Sequence, residues 1–471
     1  MKSIWTYRLN NSKNWGTLDN LMRNIVLIVL DTVRKDIYDD RAQRLQSLPG
    51  TDFERAYAPS SWSIPSHASI LTGQLPHRHG VHSYNPDYSD LKHTFFEDLD
   101  HQTLGISANG AVSEAFGFHT HFDEFVSFAG GDERSPDAMS FKHIGGTDGP
   151  ARYLEYLKKA TDRGQFTESF LNGLYVKAND LLDGRPLPNI GDGGAAAVAD
   201  KSREMTADIE EPFVLFTNFI DAHSPLVNLR VLDSDVPYGW TSNRLDIDEA
   251  RAADREDIEG FLENYRKLYT SNIEYLDRVV TDLIEDIQAQ TARETIAIII
   301  ADHGEELRYP GERDLGHTDF TNAVLHVPLT VVGTDIPDQT LSGPVSLLDI
   351  ETLATELARG EDLPDIIREH VPAERIGMLF YGGDNEYWRR GVRTVYEDEV
   401  RHEWDTQETQ NRIEVSVSED GERTPTDPPE WGLSLFEKDL DEYVASAKAA
   451  GNGPDIDTQT EEQLADLGYK V

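Results

Sequence analysis

Three short apolar runs in this chain each end on an aspartate. Ile25-Val26-Leu27-Ile28-Val29-Leu30 runs into Asp31, Phe213 through Ile220 into Asp221, and Ile296 through Ala301 into Asp302. Runs of this length without polar alternation describe strands buried on both faces, as in a parallel sheet covered by helices. Ligands of such sheets lie outside the carboxyl ends of the strands, so the placement of the three acids points to a site. A helical pattern lies between the second and third runs, where Phe261, Tyr265, Leu268, Ile273, Leu276, Val279 and Leu283 recur at three- and four-residue intervals. That spacing predicts a helix that packs the core. The fold class expected is α/β, a large mixed, mostly parallel sheet sandwiched by helices.

Two regions break this rhythm. Residues from about 130 to 199 are rich in Gly and Asp, include Gly191-Asp192-Gly193-Gly194, and read as an insertion with a flexible loop. After Pro372 the chain turns to short alternating strands such as Arg393-Thr394-Val395-Tyr396 and Ile413 through Val417, then a loop with Pro425, Pro428 and Pro429, then a helix. The division expected is a catalytic α/β domain over 1–372 and a small α+β subdomain over 373–471.

Composition restricts the partners. The chain of 471 residues has 86 acidic against 43 basic side chains, a net charge of −43. Such a surface repels nucleic acid and anionic membranes, so neither is an expected partner. The acids are spread along the chain while the apolar runs stay intact. A hydrated surface in strong salt therefore explains the charge better than disorder does, and a halophilic, archaeal cytoplasm is the expected setting. There is no cysteine, so disulfides, thiolate metal sites and a cysteine nucleophile are absent. The polar segment Met1 to Arg23 contains no apolar stretch of the kind that directs export, and the expected location is cytoplasmic. No feature of the sequence sets an oligomeric state.

The candidate nucleophile is Ser63, in Trp62-Ser63-Ile64-Pro65-Ser66-His67-Ala68-Ser69-Ile70-Leu71-Thr72-Gly73. Pro65 suits the first turn of a helix and Gly73 suits its end, which places Ser63 at a helix N-terminus, where free N–H groups favour an anion. An ordinary helix cap is the plain alternative. A second cluster, Asp302-His303-Gly304-Glu305, follows the third apolar run. Asp31, Ser63, Asp302 and His303 together offer three oxygens and one nitrogen. That set suits one divalent metal ion such as Ca, Mn or Mg, with Zn also able to fit.

The order of these motifs resembles the sulfatase family of the alkaline phosphatase superfamily. The strand ending in Asp31 is similar to the first metal segment, Ser63 through Gly73 to the nucleophile motif, and Ala301-Asp302-His303-Gly304 to the second metal segment. Gly316-His317 followed by His326-Val327-Pro328-Leu329, Asp221-Ala222-His223-Ser224-Pro225, and Gly117-Phe118 with Phe122-Asp123 resemble further family elements. The resemblance covers about Asn24 to Gly333. It implies an alkaline phosphatase-like fold, metal dependence, and hydrolysis of sulfate or phosphate esters through a covalent intermediate on Ser63.

Several positions depart from the family pattern. Asp31 is followed by Thr32 where sulfatases carry a second aspartate, and Cys-x-Pro-x-Arg becomes Ser63-Ile64-Pro65-Ser66-His67. These differences argue against formylglycine at Ser63 and toward the single-metal branch that includes phosphonate monoester hydrolases. The expected function is cleavage of sulfate esters on a small molecule or glycan. The alternatives are a phosphoesterase or phosphonate monoester hydrolase using unmodified Ser63, and a binding protein that kept the fold without activity. His317 and His223 are expected to contact substrate oxygens or protonate the leaving group, and His67 either to orient the nucleophile or to lie on the helix surface. His77, His79 and His82 read as a solvated turn, and Asn109-Gly110 as a turn first of all, with a hydrogen bond from Asn109 to a substrate oxygen as the alternative. Asp221 is a weaker candidate for a second cation site with His223 and His317.

Overall fold

The computed structural model describes residues 22–128, 137–138, 150–182, 185, 187, 191–245, 250, 253–309, 312, 314–378, 386–416 and 420–451. Eight strands carry the main sheet: β1 (Asn24–Leu30), β2 (Gly50–Tyr57), β3 (Gln102–Ser107), β4 (Glu124–Ser127), β5 (Phe213–Phe219), β6 (Thr295–Ile300), β7 (Leu329–Val332) and β8 (Gln339–Ser346). Their order across the sheet is β8-β2-β7-β6-β1-β5-β3-β4, and the short strand His326–Val327 also pairs with β2. β7 runs antiparallel to β2 and β6, whereas the other pairings along this path are parallel, so the sheet is mixed and mostly parallel.

The three apolar runs are β1, β5 and β6, side by side at the centre, and every residue of each is buried. Registers of Leu30 with Phe219 and Val29 with Ile300 bring their carboxyl ends level, and Ser107 of β3 lies level with Asn218. One edge of the sheet therefore collects Asp31, Asp302, Asp221 and the residues after β3.

The helices that matter here are α1 (Ser63–Thr72), α2 (Pro150–Asp162), α3 (Phe166–Leu182), α4 (Ala195–Thr206) and α5 (Glu259–Gln290). The periodicity around 258–289 is that of α5: Tyr265, Leu268, Ile273, Leu276 and Leu283 are buried, and Phe261 and Val279 pack partly buried against the core. α1 ends at Gly73, whose φ of 63° is a left-handed cap that an L side chain adopts at a cost. Within the 130–199 segment the described elements include α2, α3 and the start of α4; its stretches 129–136, 139–149, 183–184, 186 and 188–190 lie outside the described residues.

A separate antiparallel sheet follows: β9 (His370–Ile376), β10 (Gly391–Glu397), β11 (Val400–Asp405), β12 (Gln410–Val415) and β13 (Asp420–Pro425), paired in that order. β9 spans the point between 372 and 373. Helix Leu440–Ala450 covers this sheet, its Leu440, Val444 and Ala447 packing with Val395, Trp404 and Phe436.

The histidine-rich turn after α1 is not solvated, contrary to the sequence reading. His77 and His82 are buried, and the Glu374 carboxylate of β9 accepts hydrogen bonds from both the His77 amide (2.6 Å) and its Nδ1 (2.9 Å). Arg393 of β10 donates to the other Glu374 oxygen at 2.7 Å. Burial alone would raise this carboxyl, but His77 and Arg393 hold it below its usual range. The turn thus joins the two sheets through a satisfied buried charge.

Candidate active site

Asp31 and Asp302 stop their strands one residue beyond the last apolar position, and both are fully buried. Their ligand atoms and those of His303 all lie within 4.8 Å of one another. Ser63, the first residue of α1, points its Oγ between them, 3.4 Å from Asp31 Oδ2 and 3.5 Å from His303 Nε2. His303 Nδ1 donates to the Gly304 carbonyl at 2.9 Å. That bond fixes the hydrogen on Nδ1 and turns the Nε2 lone pair toward Ser63.

Two oxygens of this cluster, Asp31 Oδ1 and Asp302 Oδ2, are buried without a hydrogen-bond partner. A buried carboxylate oxygen without a donor is costly, and a bound cation removes that cost. Burial raises the proton affinity of both acids, and for Asp31 the neighbouring Asp302 raises it further. Burial lowers the His303 pKa to about 4, so its imidazole is neutral and free to ligate. The residues present therefore fit a single divalent cation.

The supporting shell is specific. Ser66 donates to the Asp302 carbonyl at 2.6 Å, and the Thr32 and His303 amides donate to Asp302 Oδ1 at 3.4 and 2.9 Å. Thr32, where sulfatases place an acid, has a φ of 61°, a strained value for a β-branched residue. Tyr269 of α5 holds it there by donating to its carbonyl at 2.7 Å. His67 is fully buried: its Nδ1 donates to the Ser63 carbonyl at 2.8 Å and sits 3.5 Å from Asp302 Oδ2, while its Nε2 accepts from Asn218 of β5 at 3.1 Å. It therefore faces the cluster and not a helix surface. The rings of His317 and His303 are 4.5 Å apart, and those of His317 and His223 5.5 Å. Asp31, Ser63, His67, His223, Asp302, His303 and His317 thus lie within one contact chain.

Asn109, expected first as a turn residue with a substrate contact as the alternative, supports the cluster itself. It does make the turn, its Oδ1 accepting from the Ala111 amide, but its Nδ2 donates to Asp31 Oδ2 at 2.6 Å and to Ser63 Oγ at 3.2 Å. Its position just past the end of β3 was the available signal.

Asp221 does not join a second cation cluster: among the described residues, the only group of three or more His and acidic side chains placed to hold a metal is Asp31, Asp302 and His303. Its Oδ1 instead accepts from the Ala195 amide at the N-terminus of α4, 3.4 Å away. A Cβ at Gly193 would come 2.7 Å from the same oxygen, so the 191–194 loop closes against Asp221 because Gly193 has no side chain.

Comparison with known proteins gives the family and the fold. The sulfatase family model matches residues 23–360. The chain is 23% identical to a choline-sulfatase of Rhizobium meliloti (strain 1021) over 373 residues, covering 71% of this chain and 67% of that protein. Its fold is that of the phosphonate monoester hydrolase of Agrobacterium radiobacter, with a TM-score of 0.54, 14% identity, and coverage of 83% of this chain and 89% of the other. A protein solved with its substrate D-glucosamine-2-N,6-O-disulfate gives a TM-score of 0.56 at 12% identity, covering 94% and 98% of the two chains.

Proposed function

We propose, from the premise that the chain belongs to the sulfatase family of ester hydrolases, that it cleaves a sulfate ester of a small molecule or glycan by nucleophilic attack of Ser63. The observation that carries this reading is the convergence of Ser63 Oγ, His303 Nε2 and two carboxylate oxygens that accept no hydrogen bond, Asp31 Oδ1 and Asp302 Oδ2. Those four groups would hold one divalent ion. When bound, such an ion lowers the pKa of a hydroxyl beside it and neutralises charge on the substrate oxyanion.

The chain's own groups supply the rest. Asn109 and Asp31 orient the Ser63 hydroxyl, the first as donor and the second as acceptor of its proton. Ser63 Oγ attacks sulfur as its proton passes to Asp31, the bond from sulfur to the leaving oxygen breaks, and that oxygen takes a proton from His317 or His223. Water then attacks the sulfur of the seryl ester, giving a proton to that histidine while Asp31 returns one to Ser63 Oγ, which releases sulfate and restores the hydroxyl. His67, held between Ser63 and Asn218, positions the start of α1. The charge of −43 supports a salt-rich cytoplasm as the setting, and no described helix is long and apolar enough to cross a membrane.

A second reading has a specific observation behind it. Thr32 and His67 stand where sulfatases proper have an acid and an arginine, and His67 is fully buried against the Ser63 carbonyl. These features favour a phosphate or phosphonate monoester. Assays in concentrated salt with aryl sulfate, phosphate monoester and phosphonate monoester substrates, with Mn, Ca or Mg added, separate the two. Ser63→Ala and Asp302→Ala should each abolish turnover, and wild-type rates in both would overturn the site. Peptide mass spectrometry decides the nucleophile: formylglycine weighs two hydrogens less than serine.

A further inference from the structure

Helices α2 and α3 fold against each other across the short turn 163–165, with Tyr156 and Ala160 of α2 and Val176 of α3 forming a small private core. The outer face of α3 is inverted. Its polar Ser169 and Asn172 are fully buried, while Phe166, Phe170, Leu174 and Leu181 are 47, 43, 54 and 53% exposed. Spacings of four, four and seven residues put these four side chains in one narrow stripe, about 22 Å long at ~1.5 Å per residue. The rings of Phe166 and Phe170 are stacked with centroids 6.1 Å apart. Of the eleven large apolar side chains exposed among the described residues, six lie between Leu154 and Leu181. An exposed apolar patch so concentrated marks a contact surface.

Charge and shape say what covers it. Residues 150–182 hold five basic and four acidic side chains, a net charge of +1, which leaves −44 on the remainder of the chain. The hairpin is therefore the place where two copies of this chain can approach without strong mutual repulsion. A face meant for lipid is broad and rimmed by many cations, whereas a stripe at this spacing is the seam of one helix on another. A two-helix hairpin is half of a four-helix bundle, and a two-fold axis brings the same patch on each copy together.

We propose that this face is the interface of a homodimer, in which the α2–α3 hairpins of two chains close a four-helix bundle around Phe166, Phe170, Leu174 and Leu181. High salt screens the −43 bodies and leaves apolar burial intact, so the dimer should persist in concentrated chloride.

Light scattering on the full chain tests this. The wild type should have twice the 53.0 kDa mass of one chain. Leu174→Glu and Leu174→Lys should each be monomeric while keeping ester hydrolysis and the circular dichroism of the wild type, and an equal mixture of the two should recover the dimer. Val231→Glu, at an exposed apolar residue outside the hairpin, should stay dimeric. A wild type that remains at 53.0 kDa overturns the proposal, as does a dimer that survives Leu174→Glu. A monomer that floats with anionic lipid vesicles would assign the stripe to a membrane surface instead.

Discussion

Asn109 Nδ2 lies 2.6 Å from Asp31 Oδ2 and 3.2 Å from Ser63 Oγ, so one amide supports a carboxylate of the cation cluster and the nucleophile together. Removing a donor of this kind from a metal ligand costs about 10–100-fold in activity or metal affinity. Asn109→Ala should therefore lower both, and Asn109→Asp should do more harm, because a third carboxylate would face Asp31 in a buried site. Steady-state kinetics with metal titration measure this. Wild-type kcat and metal affinity in Asn109→Ala would reduce Asn109 to its turn.

Metal binding and pH should be linked through Asp31 and Asp302. Both carboxyls have folded pKa values above 3.8, first through burial, so the metal-free native state binds more protons than the unfolded chain over that interval. The stability that these two carboxyls contribute should fall as pH rises from 3.8 through the folded values, while the lowered His303 acts with the opposite sign between about 4 and 6.5. The cation requires the deprotonated acids, so the rise in Tm on adding Mn or Mg should grow over the same span and level off above it. His303, lowered to about 4, is protonated only at the bottom of that span and neutral above it, so over the rest of the interval the two carboxyls set the limit. A thermal-shift titration across pH measures this, and a metal effect independent of pH from 4 upward would remove both carboxylates from the ligand set.

The central strands were legible because burial on both faces leaves β1, β5 and β6 mostly apolar, with no regular polar alternation, and the acids that follow them stand out against that background. Asn109 was not, since its use as a turn residue and its use as a donor to Asp31 leave the same trace in a single sequence. The buried His77 turn failed for a related reason: its partner, Glu374, lies 297 residues away. The inverted face of α3 was hidden differently. Its apolar content reads as an ordinary helix, and only packing shows that Ser169 and Asn172 took the inside.

Gly193 should tolerate no side chain. A Cβ there would meet Asp221 Oδ1 at 2.7 Å and its Cγ at 2.8 Å, and Asp221 is itself held against α4. Gly193→Ala should cost ~1–3 kcal/mol, the usual range for overpacking. His223 lies two residues past Asp221, so kcat should drop with stability. Denaturant unfolding and turnover on the same sample check this, and unchanged values in both would mean that the 191–194 loop does not bear on the strand end.

Added chloride should raise stability, and the sign follows from comparing two opposed effects. Salt weakens exposed ion pairs such as Arg44 with Asp282 at 2.6 Å and Arg203 with Asp286 at 2.7 Å. Each such pair is worth about 0–1 kcal/mol, so little is lost. Against this, 86 acids face 43 bases, so 43 carboxylates have no basic side chain left to pair with, and their repulsion reaches ~10 Å at 0.1 M salt but only ~3 Å at 1 M. The repulsion is the larger quantity, and screening should favour the compact chain. Tm measured by scanning calorimetry should climb from 0.1 M to 1 M potassium chloride and beyond. Chloride is the suitable anion, because sulfate also strengthens apolar burial and would blur the cause. A Tm that is flat or falling over that range would show that the surface charge does not act against the fold, and would remove the support for a salt-rich setting.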